Sequence, residues 1–68
     1  MDNIDVRKYI ISNFKDSSIE DIKSSINDSI TSGDDDPLIG LGVIFEILWK
    51  NSNPTEQEMI LNNIKKGM

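Results

Sequence analysis

The run Leu38-Ile39-Gly40-Leu41-Gly42-Val43-Ile44-Phe45-Glu46-Ile47-Leu48-Trp49 is the densest apolar stretch of an otherwise polar chain, and it dictates what the rest must do. On a helical wheel at about 100° per residue, Leu38, Leu41, Phe45, Leu48 and Trp49 fall on one side and Val43, Ile44 and Ile47 on the other. Only Glu46 and Lys50, with Ile39 between them, form a polar strip. A helix that is apolar on nearly every side has to be surrounded. It therefore runs through the middle of the fold, or it shares one side with a second chain. Gly40 and Gly42 would let another backbone approach on opposite sides, which serves either arrangement. The run is too short for the roughly 20 apolar residues of a membrane-spanning helix, and Glu46 interrupts it.

The remaining segments carry their own start and stop signals. Val6, Ile10 and Phe14 recur every fourth residue, with Ile11 beside them, which predicts a helix from about Ile4 to Phe14 capped by Asp2 or Asn3. A second helix follows Asp16-Ser17-Ser18, whose side chains can accept from free first-turn amides; its stripe is Ile19, Ile22, Ile26 and Ile30. Gly33 is placed to stop it in the left-handed conformation. Asp36-Pro37 opens the third segment, which extends to Asn51, but the helix cost of Gly40 and Gly42 predicts a regular start only near Leu41. Asn53-Pro54-Thr55-Glu56 pairs a cap with proline and a first-turn glutamate, Ile60, Leu61 and Ile64 follow as a stripe, and Gly67 ends it. Four short helices with short connections predict an all-α bundle around the central apolar helix, forming one domain over residues 1–68.

A chain of 68 residues buries only about 60% of the surface it exposes when unfolded, so a partner subunit is the natural staple where Cys and His are both absent. Leu, Ile, Val and Phe account for 20 residues, enough to fold, at least in company. The missing cysteines exclude thiolate metal sites, thiol nucleophiles and disulfides. The first residues have neither a basic start nor a following apolar segment, so an intracellular protein is expected. Acidic residues outnumber basic ones 12 to 7, and the net charge of -5 repels a phosphate backbone.

Candidate sites follow from these patterns. Leu41, Val43, Ile44, Phe45, Ile47, Leu48 and Trp49 are the candidate interaction face; Phe45 and Trp49 read first as core within one chain and next as the seam of a homodimer. Arg7, Lys8, Lys15, Lys65 and Lys66 are the contacts a nucleic-acid-binding alternative would use, although only Tyr9 and Phe14 offer aromatic platforms nearby. Asp34-Asp35-Asp36 lacks the ligand alternation of a calcium loop and reads as a cap with favourable dipole charge for the third helix. Glu46, followed four residues later by Lys50, reads as a surface ion pair rather than a catalytic acid. Ser17, Ser18, Ser24, Ser25, Ser29 and Ser32 have no base nearby and read as caps and solvated face. No acid, base and nucleophile are spaced to work together, so no catalytic residues, cofactor, metal or small-molecule substrate are expected.

The stretch Gly40-Leu41-Gly42-Val43-Ile44-Phe45-Glu46-Ile47-Leu48-Trp49-Lys50-Asn51 resembles the central signature of the small acid-soluble spore protein I family, Gly-Leu-Gly-Val-Leu-Phe-Glu followed by two aliphatics and Trp. The likeness extends through Arg7, Ile10-Ile11 and Asn13, then Ile26, Asp28, Ile30 and Ser32-Gly33, then Leu61, Ile64 and Gly67. Two departures are visible: Ile39 stands where the family usually has proline, and Pro54 where it has acidic or polar residues. The resemblance implies a non-enzymatic minor protein made in the forespore and deposited in the spore core. Such a protein is expected to act through abundance, packing or association, with itself or another spore-core protein as possible partner; the alternatives are a nucleic-acid-associated spore protein and a protein–protein interaction module. It does not extend to the DNA-coating major spore proteins, whose glycine-rich sequences are not evident here.

Overall fold

A computed structural model describes the backbone of residues 3–68 and the side chains from Val6 onward. It contains four helices, α1 (Asn3–Phe14), α2 (Ile19–Thr31), α3 (Leu38–Lys50) and α4 (Pro54–Gly67). α1 and α2 both pack on α3, so the apolar segment is the element around which the others are organised, as its composition predicts. The capping expected of Asp2 or Asn3 lies outside the described side chains.

The helix ends follow local chemistry. Ser18 takes the extended conformation of an N-cap and its Oγ accepts from the Asp21 amide at 3.1 Å, while Glu20 and Asp21 bring negative charge to the positive end of α2. Gly33 follows the Ser32 C-cap with φ +71°, a left-handed conformation that costs glycine little and any other residue more. α4 opens with a reciprocal capping box: the Glu56 amide donates to Asn53 Oδ1 at 2.8 Å, and the Asn53 amide donates to Glu56 Oε1 at 2.9 Å. Pro54 at the first helical position loses no hydrogen bond, because its amide would have been unpaired there. At the far end, Lys65 and Lys66 place positive charge where the carbonyls of the last turn are free. Of the serines, Ser12, Ser17, Ser29, Ser32 and Ser52 turn their hydroxyls back onto carbonyls three or four residues earlier.

α3 departs from expectation at its start. The regular helix begins at Leu38, not near Leu41, and both glycines lie inside it. Pro37, already helical at φ -68° and ψ -10°, accepts from the Leu41 amide, while the Leu38 amide donates to the Asp35 carbonyl, so a backbone turn leads directly into the helix. The aspartates do not cap it: no side-chain cap bond forms, and Asp34, Asp35 and Asp36 are all exposed. Two interior glycines cost about 2 kcal/mol together relative to alanine. The apolar surface covered elsewhere along the same helix offsets that penalty.

The expected enclosure of α3 is one-sided. Among the described residues only Val43 is buried, at 7% exposure. Ile10, Phe14, Ile22, Ile26, Ile44 and Ile60 are half-buried, whereas Ile19 and Ile30, at the two ends of the α2 stripe, and Leu61 and Ile64 on α4 are exposed.

The apolar face of the central helix and the ion pair beside it

Seen down α3, the covered half faces α1 and α2. Val43 lies beside Val6 and Arg7 of α1, Ile44 and Ile47 line an open apolar groove of about 270 Å³ with Ile10, Ile11, Phe14 and Ile22, and a Cβ at Gly40 would lie 4.0 Å from Ile10 Cδ1. That distance is ordinary van der Waals contact, so the packing of α1 does not require glycine at position 40. The other half is bare. Leu38 is 57%, Leu48 47% and Phe45 42% exposed, with Leu41 and Trp49 half-buried beside them. The expectation that Phe45 is core within one chain is thus not met. Its ring stacks instead on Trp49, with centroids 6.0 Å apart and planes inclined by 26°. Gly42 lies at the margin instead, lining a shallow hollow with Val6 and Arg7 of α1 and with Ile39, Val43 and Glu46; a Cβ there would meet nothing within 4 Å. The seven residues of the predicted interaction face are therefore divided, with Val43, Ile44 and Ile47 toward the other helices and Leu41, Phe45, Leu48 and Trp49 on the opposite side, although Ile47, at the edge of the open groove, is as exposed as Phe45.

Between the two halves sits the best-defined polar contact of the molecule. Arg7 on α1 grips Glu46 on α3 with both arms, Nε donating to Oε1 at 3.0 Å and Nη2 donating to Oε2 at 3.1 Å. Lys50 adds its ammonium 3.7 Å from Oε1, one turn along the same helix. The predicted Glu46–Lys50 pair is present, but the stronger partner is Arg7, 39 residues away, which no local spacing reveals. The hydrogen bonds from Arg7 hold the Glu46 carboxyl below the ordinary glutamate value; desolvation is the next influence and pulls the other way, and the charges of Arg7 and then Lys50 reinforce the depression. The same bonds raise the already basic Arg7. At neutral pH Glu46 is a satisfied carboxylate, the opposite of the raised-pKa carboxylic acid that general-acid chemistry needs.

The basic residues of the nucleic-acid alternative do not share one contact. Arg7 is engaged with Glu46, Lys8 and Lys15 are exposed on or just beyond α1, and Lys65 and Lys66 lie in the last turn of α4. Gln57 is a contact that sequence reasoning missed: its Nε2 donates to the Trp49 carbonyl at 3.1 Å and so ties α4 to the end of α3. Among the described residues no helix is long and apolar enough to cross a membrane, and no group of acidic side chains converges as a metal site.

No solved structure matches this chain. Three similar proteins, from Halalkalibacterium halodurans (35% identical, covering 97% of each chain), Bacillus cytotoxicus (32%, 97% of this chain and 94% of the relative) and Shouchella clausii (32%, 97% and 96%), are all small, acid-soluble spore protein I. The family model of that description matches residues 4–68. With nearly its whole length matched in this way, the chain belongs to the small, acid-soluble spore protein I family.

Proposed function

We propose that this protein is a non-enzymatic component of the spore core, laid down in the forespore during sporulation, and that it acts by associating with protein rather than by turning over a substrate. The observation that carries the reading is the bare half of α3, where Leu38, Phe45 and Leu48 present exposed apolar surface with no charged residue among them. Large contiguous apolar surface on a small acidic chain is the mark of a contact surface. The chemistry of the neighbouring ion pair supports the same conclusion. Glu46 is held ionised and the sequence has no histidine or cysteine, so the most elaborate polar cluster of the fold is a structural clamp between α1 and α3.

A fluorescent fusion expressed from its own promoter in a sporulating cell should light the forespore only, and signal confined to the mother cell would overturn the assignment. Mixed with duplex DNA at low and moderate salt, the purified chain should give no complex. A retarded band that fades steeply with salt would transfer the function to Arg7, Lys8, Lys15, Lys65 and Lys66.

A further inference from the structure

We propose that the open groove between α1, α2 and α3 is a binding site for a single short aliphatic chain ending in a carboxylate, with the chain seated against Ile10, Phe14, Ile22 and Ile44 and the carboxylate at the ammonium of Lys15. Neither Leu38 nor Phe45 lines this groove, so the site stands independently of the association proposed above.

The walls define the body of the ligand. Three helices contribute aliphatic and aromatic side chains to them, and Lys15 is the one polar residue on the lining. Ile10, Phe14, Ile22 and Ile44 are half-buried, whereas Ile11 and Ile47 remain 45% and 42% exposed, apolar surface that a bound chain would take from water. A concave, mostly apolar site with few polar groups is the usual form of a small-molecule pocket. Size narrows the choice. The volume of about 270 Å³ falls below the roughly 300 to 1,000 Å³ of pockets that hold drug-sized molecules. From Ile10 to Lys15 the wall that α1 supplies is about 8 Å long, at 1.5 Å rise per residue. That suits one short chain and not the paired acyl chains of a membrane lipid.

The position of charge defines the head. The sequence holds 12 acidic residues against 7 basic ones, yet no acidic side chain lines the groove. Lys15 is exposed, and the ion pairs among the described residues involve only Arg7, Glu46 and Lys50, which leaves its ammonium open to a ligand. Nor does the end of α1 call on it as a donor. Ser17 fills that role, its amide donating to the Phe14 carbonyl at 3.1 Å and its hydroxyl to the Asn13 carbonyl at 3.4 Å. A lysine stem lies readily along an apolar wall with its head in water, which sets a cation where a carboxylate would emerge from the groove. The site thus selects an anionic head, against the net charge of -5 of the whole chain.

Octanoate, hexanoate and octan-1-ol titrated into the full chain at about 0.15 M salt, followed by methyl NMR, test the site. Octanoate should give saturable one-to-one shifts at Ile22 and Ile44 while Leu38 stays unmoved, and should bind about tenfold more tightly than hexanoate. Lys15→Glu should weaken octanoate about fivefold and leave octan-1-ol unchanged. Lys65→Glu changes the net charge equally from the far end of α4, and should leave octanoate binding as it was. Ile47→Gln should weaken both eight-carbon ligands severalfold, and Leu38→Gln neither. The wild-type shift pattern and the chain-length dependence need no variant to fold. Absence of saturable binding, shifts that spread equally to Leu38, or equal losses from Lys15→Glu and Lys65→Glu would each overturn the proposal. Shifts at Ile22 and Ile44 that follow protein concentration without ligand would give the groove to another copy of the chain, and would overturn it too. The forespore experiment has an independent outcome, so the two proposals fail separately.

Discussion

On one half of α3, Val43 is buried beside α1; on the other, the larger Leu38, Phe45 and Leu48 are about half exposed. The two halves lie on the same helix and are equally apolar, so hydrophobicity does not explain which one is covered. The supply of neighbours does. α1 and α2 each bring a narrow apolar stripe, enough to cover about half the circumference of α3, and α4 is tied to the end of that helix through Gln57 and Trp49 rather than laid along it. A central element that is apolar on most sides is only partly walled by the other three helices, and Leu38, Phe45 and Leu48 stay exposed.

The sharpest way to break this comparison is to place the same charge on each half. Val43→Asp should abolish the cooperative thermal transition followed by circular dichroism, because burying an unpaired carboxylate costs several kcal/mol. Leu48→Asp should leave the dilute chain within about 1 kcal/mol of the parent. Equal unfolding by both would show that the halves do not differ. Next in size, Gly33→Ala puts a Cβ on a left-handed residue and should destabilise by about 1 to 2 kcal/mol in chemical denaturation, since that turn delivers the chain from α2 to α3. Removing the α4 cap with Asn53→Ala should cost about 1 kcal/mol and fray α4, seen as faster amide exchange near Glu56, without altering the packing of α1 on α3.

The smallest expected effect is that of Glu46→Gln, which loosens α1 from the margin between the two halves. Because the folded-state pKa of Glu46 is depressed, the stabilisation it brings is fully present above the ordinary glutamate value and fades as pH falls through the lowered one. Parent and variant should therefore melt differently at neutral pH and converge in acid. A gap that persists in acid would mean that the carboxylate is not what holds Arg7.

Much of this fold was legible in the residues because its signals are local. Ser18, Gly33 and the Asn53–Glu56 box each act within a turn of the helix end they define, and the structure places all three where the sequence predicts. The start of α3 was misread because glycine propensity was weighed alone. The turn from Asp35 through Pro37 already carries helical geometry into Leu38, and covering the rest of the segment outweighs two weak positions. The Arg7–Glu46 clamp was illegible because its partners are 39 residues apart and meet only once α1 has crossed α3. Wheel geometry separated Leu38, Leu41, Phe45, Leu48 and Trp49 from Val43, Ile44 and Ile47, and burial follows that division only in part: Val43 is buried and Leu38, Phe45 and Leu48 are exposed, but Ile47 is as exposed as Phe45, and Leu41 and Trp49 are half-buried like Ile44. Which half would be covered depended on the reach of the other helices, which the pattern of one segment does not contain.

With Val43 the one buried side chain among the described residues, the native state has little to unlock before its backbone meets solvent. Opening of α1 or α2 away from Val43 uncovers few contacts, so amide protons throughout an isolated chain should exchange quickly and proteases should find it an easy substrate. How long such a chain keeps its shape is then set by how rarely α1 and α2 part from α3.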